Sequence, residues 1–202
     1  MSVPSAPWRS DIDAVLWWHR APAGGVLPPE LGARVALPVT LGGLISYRRG
    51  PVGPYREVFG APTMLGGGAA LAHVAFMAVD SAASVAGGRA NWALPKELAR
   101  FDGEPGRPGR VTVRGDAWAL TVTTRARRRA VPARGRLACA QVWPDGSARE
   151  FTVRLRGRTR AGSVELEHTA QSPLAARLAP GRHPAVLVSG VQVAGPARPR
   201  AR

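Results

Sequence analysis

Apolar positions along this chain come in short runs bounded by glycine and proline, and no segment sustains a helical period. Runs of this length, rich in β-branched and aromatic residues, predict strands. Residues 11–19 end in Val15-Leu16-Trp17-Trp18 and suit a largely buried strand. Residues 22–32 read as a turn holding at most one helical turn at Pro28-Pro29, since proline is tolerated at a helix start. Residues 34–47 read as strand, break or bulge at Pro38 and Gly42-Gly43, then strand. Residues 50–54 form a rigid turn, 55–64 a strand, Gly66-Gly67-Gly68 a turn, and 69–79 a further strand carrying His73.

Asp80 or Ser81 then offers an oxygen to cap a short helix through Ala86, which Gly87-Gly88 should stop. Beyond a loop containing Lys96, strands are expected over 110–114, 118–124, 137–143, 151–155, 163–168 and 185–193. Asp145-Gly146 supplies a hairpin turn, and only 173–178 interrupts with a short helix. The succession predicts a mainly β protein, a closed or cone-like antiparallel β-barrel with a few short helices. Residues 1–196 are expected to make a single domain and 197–202 a basic, disordered tail.

Composition narrows the functional classes. Hydrophobic residues make up 45% of the 202 and charged residues 20%, which excludes wholesale disorder. Apolar runs fall well short of the ~20 residues a spanning helix needs, and no basic residue precedes an apolar run at the N-terminus. With the lone Cys139, these features lead to the expectation of a cytoplasmic protein. The net charge of +15 invites a nucleic-acid reading, but the basic runs at 125–136 and 197–202 contain no aromatic residue to stack on bases. We expect the 125–136 arginines to form a solvated or anion-steering loop and no nucleic-acid surface. His19, His73, His168 and His183 have no partner at i+2 to i+4, so no metal or other cofactor is expected.

One residue stands apart: of 28 basic side chains, only Lys96 is lysine. Arginine stays protonated in proteins, whereas a lysine deprived of its charge attacks carbonyls. On composition alone Lys96 is as readily a remnant of arginine drift as a reagent. Its surroundings favour the second reading. Gly88-Arg89 followed by Pro95-Lys96 resembles the Gly-Arg-Glu…Pro-Lys-Lys signature of the acetoacetate decarboxylase family. Gly53-Pro54-Tyr55-Arg56-Glu57 is similar to that family's Tyr-x-Glu motif, Glu57 precedes Lys96 by the family's interval of 39 residues, and Asp80 also falls in register. The resemblance covers about Pro51 to Phe101.

The resemblance implies a cone-like barrel, an oligomer, and a Schiff-base mechanism in which Lys96 condenses with a small keto acid. The iminium then accepts the electrons released as carbon dioxide leaves. Aldol or dehydration chemistry on the same lysine, and a non-catalytic ligand-binding barrel, remain as alternatives. Glu57 is expected to handle protons or orient the lysine, with rim pairing to Arg56 or Arg49 as the plainer reading. Arg89 is expected to support the loop or contact substrate. Tyr55, Asn91 and Trp92 are expected at the pocket or in loop capping and packing, and Trp92, Leu94 and Leu98 are to supply an apolar surround. Two departures from the signature are Glu97 in place of the second lysine and Ala90 in place of the glutamate. A neighbouring carboxylate would favour the charged lysine if the two were close. A further family glutamate falls near Gly42-Gly43, and for the arginine that meets the substrate carboxylate only Arg9 or Arg20, out of register, is available.

Overall fold

The computed structural model describes residues 3–21, 27–32, 34–66, 68–169, 174 and 177–199. Its elements run β1 (Trp8–Arg20), a 3-10 turn (Pro29–Leu31), β2 (Val35–Arg49), β3 (Tyr55–Gly66), β4 (Ala69–Ala72), β5 (Phe76–Val79) and α1 (Ala82–Trp92). There follow β6 (Lys96–Leu98), β7 (Arg100–Asp102), β8 (Gly109–Arg114), β9 (Ala119–Ala126), β10 (Val131–Val142), β11 (Ala148–His168), β12 (Gly181–Ala194) and β13 (Arg198–Pro199). None of the described helices is long and apolar enough to cross a membrane.

The strands form a ring. In the order β10, β4, β3, β2, β1, β12 and β11, each hydrogen-bonds the next, and β11 pairs back with β10. The expected antiparallel pattern has two exceptions, because β4 runs parallel to β10 and β6 parallel to β5. β11 is long enough to change partners along one edge: residues up to Thr159 pair with β10, and Gly162–His168 pair with β9. Through that second half, β9, β8 and β7 extend the sheet.

Alternation of side chains along each strand divides the apolar residues between two faces. Ile12 and Ala14 of β1, Ile45 and Tyr47 of β2, and Tyr55 and Ala61 of β3 belong to one buried cluster, shared with Cys139 and Phe151. Val15, Trp17, Leu44 and Val58 belong to a second cluster, with Val111, Leu120 and Val122 from β8 and β9. The central strands are therefore apolar on both faces, which is why β1 reads as a continuous apolar run.

Several expectations need correction. The break in β2 lies between Ala36 and Thr40, around Pro38, and not at Gly42-Gly43; proline has no N–H to give the ladder. The strand expected over 69–79 is two strands with a gap at residues 73–75. The helix does not stop at Gly87-Gly88 but continues to Trp92. The strands expected at 151–155 and 163–168 are one, β11, whose middle alternates Arg154, Arg156, Arg158 and Arg160 with Leu155, Gly157 and Thr159. The expected arginine loop at 125–136 is mostly strand: Arg125 ends in β9, and Arg134 and Arg136 stand in β10. In β10 and β11, Arg136 faces Arg154 and Arg134 faces Arg156 across the ladder. The described part of the tail is ordered, with Arg198 and Pro199 paired to β11. Half of the helix expected at 173–178, and residues 200–202 of the tail, lie outside the described residues.

Candidate active site

Three elements converge on Lys96. β3 contributes one face, on which Tyr55, Glu57, Phe59 and Ala61 alternate toward the ring interior. β5 pairs with β3 and carries β6 on its other edge, so that Lys96 lies opposite Met77. α1 packs between, and its own sequence explains where it starts and ends. The Ser81 side chain accepts from the Ser84 N–H at 3.2 Å and caps the first turn. At the far end Ala93 adopts a left-handed conformation with φ 50°, and its N–H returns to the Arg89 carbonyl. Pro95 follows, so the chain leaves the helix directly into β6.

Lys96 is 2% exposed and Glu57 3%. The lysine Nζ donates to Glu57 Oε2 at 2.8 Å and to Ser84 Oγ at 2.8 Å, and lies 5.0 Å from the Tyr55 ring centroid. Tyr47 Oη donates to Glu57 Oε1 at 3.1 Å and accepts from Gln192 Nε2 at 3.2 Å. The Tyr47 and Tyr55 rings stack with centroids 4.2 Å apart. Burial, reinforced by the charge of Glu57, holds both phenols well above their usual pKa. Hydrogen bonding with Ser84 and Tyr47 opposes the shift at Tyr55 in part. Both tyrosines therefore remain neutral, and Tyr47 stays a proton donor, at any ordinary pH.

The two glycines expected to end the helix instead receive other side chains. A Cβ on Gly88 would stand 2.6 Å from Lys96 Cδ and Cε, and one on Gly87 would stand 2.4 Å from the Trp8 ring. Ser84 and Gly88 are one turn apart, so the lysine lies along a helical face that offers it a hydroxyl and then a bare backbone.

The supporting residues divide clearly. Arg89 does not face the cavity; its Nε and Nη2 donate to the Lys96 carbonyl at 3.1 and 2.6 Å, bracing the turn that presents Lys96. Asn91 holds the N-terminal segment, accepting from Ala6 N at 2.9 Å and donating to Pro4 O at 2.9 Å, and does not line the cavity. Trp92 lines the cavity and donates from Nε1 to Gly195 O at 2.7 Å. Leu94 also lines it, whereas Leu98 is 57% exposed and contributes nothing to the surround. Arg56 is bound to Asp80 at 2.6 Å, so Glu57 has no rim partner there and Asp80 acts as a clamp between β3 and the start of α1.

Glu97 directs its carboxylate away from the buried Lys96 amine. Consecutive residues of a strand face opposite ways, and its carboxylate is exposed and accepts from Trp118 Nε1 at 2.9 Å. A side chain at Gly42 or Gly43 would have to displace its neighbour, since a Cβ would fall 2.2 Å from the Trp17 ring and 2.0 Å from the Phe59 ring. Arg9 points away from the cavity because Ser10, its strand neighbour, points in, and Arg20 does not line it either. Arg136, exposed on β10, borders the cavity.

The cavity bounded by these groups measures about 300 Å³. Ser84, Tyr47 and Gln192 were not singled out from the sequence. Ser84 had a local signal, a hydroxyl one turn before Gly88; Tyr47 reaches Glu57 because β2 pairs with β3, and Gln192 reaches Tyr47 because β1 and β12 follow β2 in the ring. Among the described residues no group of three or more His, Cys, Asp or Glu is placed to hold a metal.

No family model matches the chain, and no curated protein matches it in sequence. Solved structures do match in shape. The acetoacetate decarboxylase of Legionella pneumophila subsp. pneumophila str. Philadelphia 1 is 16% identical, with all of this chain covering 90% of that one at a TM-score of 0.67. This chain has an acetoacetate decarboxylase-like fold. An acetoacetate decarboxylase-like enzyme from Sphingomonas wittichii RW1 is 18% identical, with 96% of this chain covering 93% of it at a TM-score of 0.64. The enduracididine biosynthesis enzyme MppR complexed with pyruvate is 14% identical, with 96% of this chain covering 90% of it at a TM-score of 0.65. The acetoacetate decarboxylase-like fold thus accounts for the ring of strands and the short helix behind Lys96.

Proposed function

We propose that the protein is a Schiff-base-forming lyase that decarboxylates a β-keto acid through Lys96. The observation that carries this reading is the buried pair of Lys96 and Glu57, 2.8 Å apart at the wall of the cavity. Transfer of one proton from the ammonium to Glu57 leaves a neutral amine able to attack the ketone carbon. The carbinolamine loses water, with Glu57 returning the proton to the departing hydroxyl and Tyr47 steadying the carboxylate. In the resulting iminium, the electrons of the bond to the carboxylate move toward nitrogen, carbon dioxide leaves, and an enamine remains. Protonation of the enamine carbon and hydrolysis of the iminium release the ketone and restore Lys96.

The walls favour this outcome. Loss of carbon dioxide turns a zwitterionic iminium carboxylate into neutral products, and an apolar surround disfavours the charged state before it. A second reading uses the same iminium for aldol or dehydration chemistry. It is supported by the fold neighbour MppR, which is described in complex with the condensation product of pyruvate and imidazole 4-carboxaldehyde.

Borohydride trapping tests both. The protein is incubated with acetoacetate or pyruvate and reduced, the adduct is located by mass spectrometry, and carbon dioxide release is measured in parallel. An adduct on Lys96 with carbon dioxide release supports the decarboxylase. An adduct without release supports aldol or dehydration chemistry. No adduct on Lys96 across a panel of keto acids overturns the Schiff-base reading and leaves a binding role.

A further inference from the structure

Most polar groups of the cavity are gathered into one network, with Ser10 and Arg136 outside it. Lys96 and Tyr47 are both bonded to Glu57, Gln192 is bonded to Tyr47, and Tyr55 stacks on Tyr47. The rest of the wall is largely carbon, with Leu41 and Phe59 from β2 and β3 and with Leu137, Phe151 and Leu155 from β10 and β11. Cys139 completes this wall as an apolar group, since burial pushes its thiol up to about 12. An apolar cavity of ~150 Å³ takes up benzene, so about 300 Å³ holds roughly a dozen non-hydrogen atoms on that scale. Acetoacetate would fill little more than half of this space and leave the carbon wall without a partner. Unfilled apolar volume is costly to a protein, and here it lies beside a concentrated set of reactive groups.

We infer that the substrate of this site is a β-keto acid with an extended apolar tail, an alkyl chain or aryl group that lies against the Leu41, Phe59, Leu137 and Phe151 wall while the ketone carbon meets Lys96. This rests on the proposed Schiff-base chemistry and adds the class of carbonyl compound that the cavity selects. The reaction balances as R–CO–CH2–COO− plus a proton giving R–CO–CH3 and carbon dioxide, with the tail R untouched. Selectivity comes from burial of R, which strengthens binding about fourfold for each methylene buried.

Two series measured on the full chain test it. In the first, Lys96 is trapped with borohydride in the presence of 3-oxobutanoate, 3-oxohexanoate, 3-oxooctanoate and 3-oxodecanoate below saturation. In the second, straight-chain 1-alkanols, which cannot form an imine, are titrated by fluorescence of Trp8 and Trp92, both of which line the cavity. Trapping efficiency is expected to rise about fourfold per methylene as far as 3-oxooctanoate and then level off, with alkanol affinity rising in parallel. In Leu137→Trp the levelling is expected at a shorter chain. Efficient trapping with no dependence on chain length, together with flat alkanol affinity, overturns the tail and leaves the Schiff-base reading intact. Length-dependent alkanol binding with no adduct overturns the Schiff-base reading and supports the tail site. Flat affinities with no adduct overturn both.

Discussion

Gly88→Ala perturbs the placement of Lys96 without touching its amine. The added Cβ would lie 2.6 Å from Lys96 Cδ and Cε, whereas carbon atoms rest at ~3.5–4.0 Å, so the two must separate by about 1 Å. Helix and lysine are both held: the helix by its Ser81 cap, the lysine at its tip by Glu57 and Ser84. Overpacking of this kind costs about 1–3 kcal/mol, and replacing a helical glycine by alanine returns about 1 kcal/mol. The net loss of stability is thus about 0–2 kcal/mol, and the variant should fold. A displacement of about 1 Å at a reacting group costs on the order of 100-fold in rate, equivalent to about 2.7 kcal/mol. The assay is the rate of borohydride trapping at Lys96, with urea denaturation run beside it. Gly87→Ala serves as the comparison, because its Cβ would meet the Trp8 ring 2.4 Å away and does not touch Lys96. It should lose comparable stability and far less trapping rate. Wild-type trapping by a folded Gly88→Ala protein would refute the argument that the bare backbone at this position sets the placement of Lys96.

Three further outcomes follow from the same geometry. Glu57→Gln leaves a buried ammonium facing an amide, and removing one partner of such a pair costs about 3–5 kcal/mol; a change in urea stability below about 1 kcal/mol would show that the two side chains are not paired as described. Burial lowers the pKa of His19, His73 and His168 below the usual 6.5, so the unfolded chain takes up protons that the folded chain resists. Their contribution is complete above about pH 7 and is lost as pH falls below it, so the urea midpoint should drop between pH 7 and 5; a constant midpoint would contradict this. Cys139, its thiol raised to about 12 by burial, should resist iodoacetamide at pH 8 in the native protein and react fully in urea.

Much of the ring was legible in the sequence because strands buried on both faces appear as short apolar runs bounded by glycine and proline, as in β1 and β3. Other parts were hidden for definite reasons. The middle of β11, between the expected strands at 151–155 and 163–168, gave no apolar run, since one face carries Arg156, Arg158 and Arg160 and the other includes Gly157 and Thr159. Gly87 and Gly88 looked like a helix stop because propensity knows nothing of a lysine or a tryptophan that needs the space. Glu57 and Lys96 were connected in advance only through resemblance to a family, since 39 residues separate them. Gln192 could not be joined to that pair at all, because β12 meets the ring beside β1, a placement that sequence order does not give; Tyr47 lies beside Glu57 through the pairing of consecutive strands β2 and β3 but carried no motif to mark it.

The facing arginines of β10 and β11 carry a consequence for handling the protein. Like charges directly opposite on a strand pair repel, and among the described residues none of Arg134, Arg136, Arg154 and Arg156 lies within ion-pair distance of a carboxylate. The ribbon that closes the ring is therefore under electrostatic tension that dissolved ions relieve. Most folded chains gain little from added salt, but this one should grow firmer as ionic strength rises and the screening length shortens. Multivalent anions such as sulfate should act at lower concentration than chloride. Dilute, low-salt buffers would then be the conditions in which the ring opens first along the β10–β11 seam, exposing the wall of the cavity it closes.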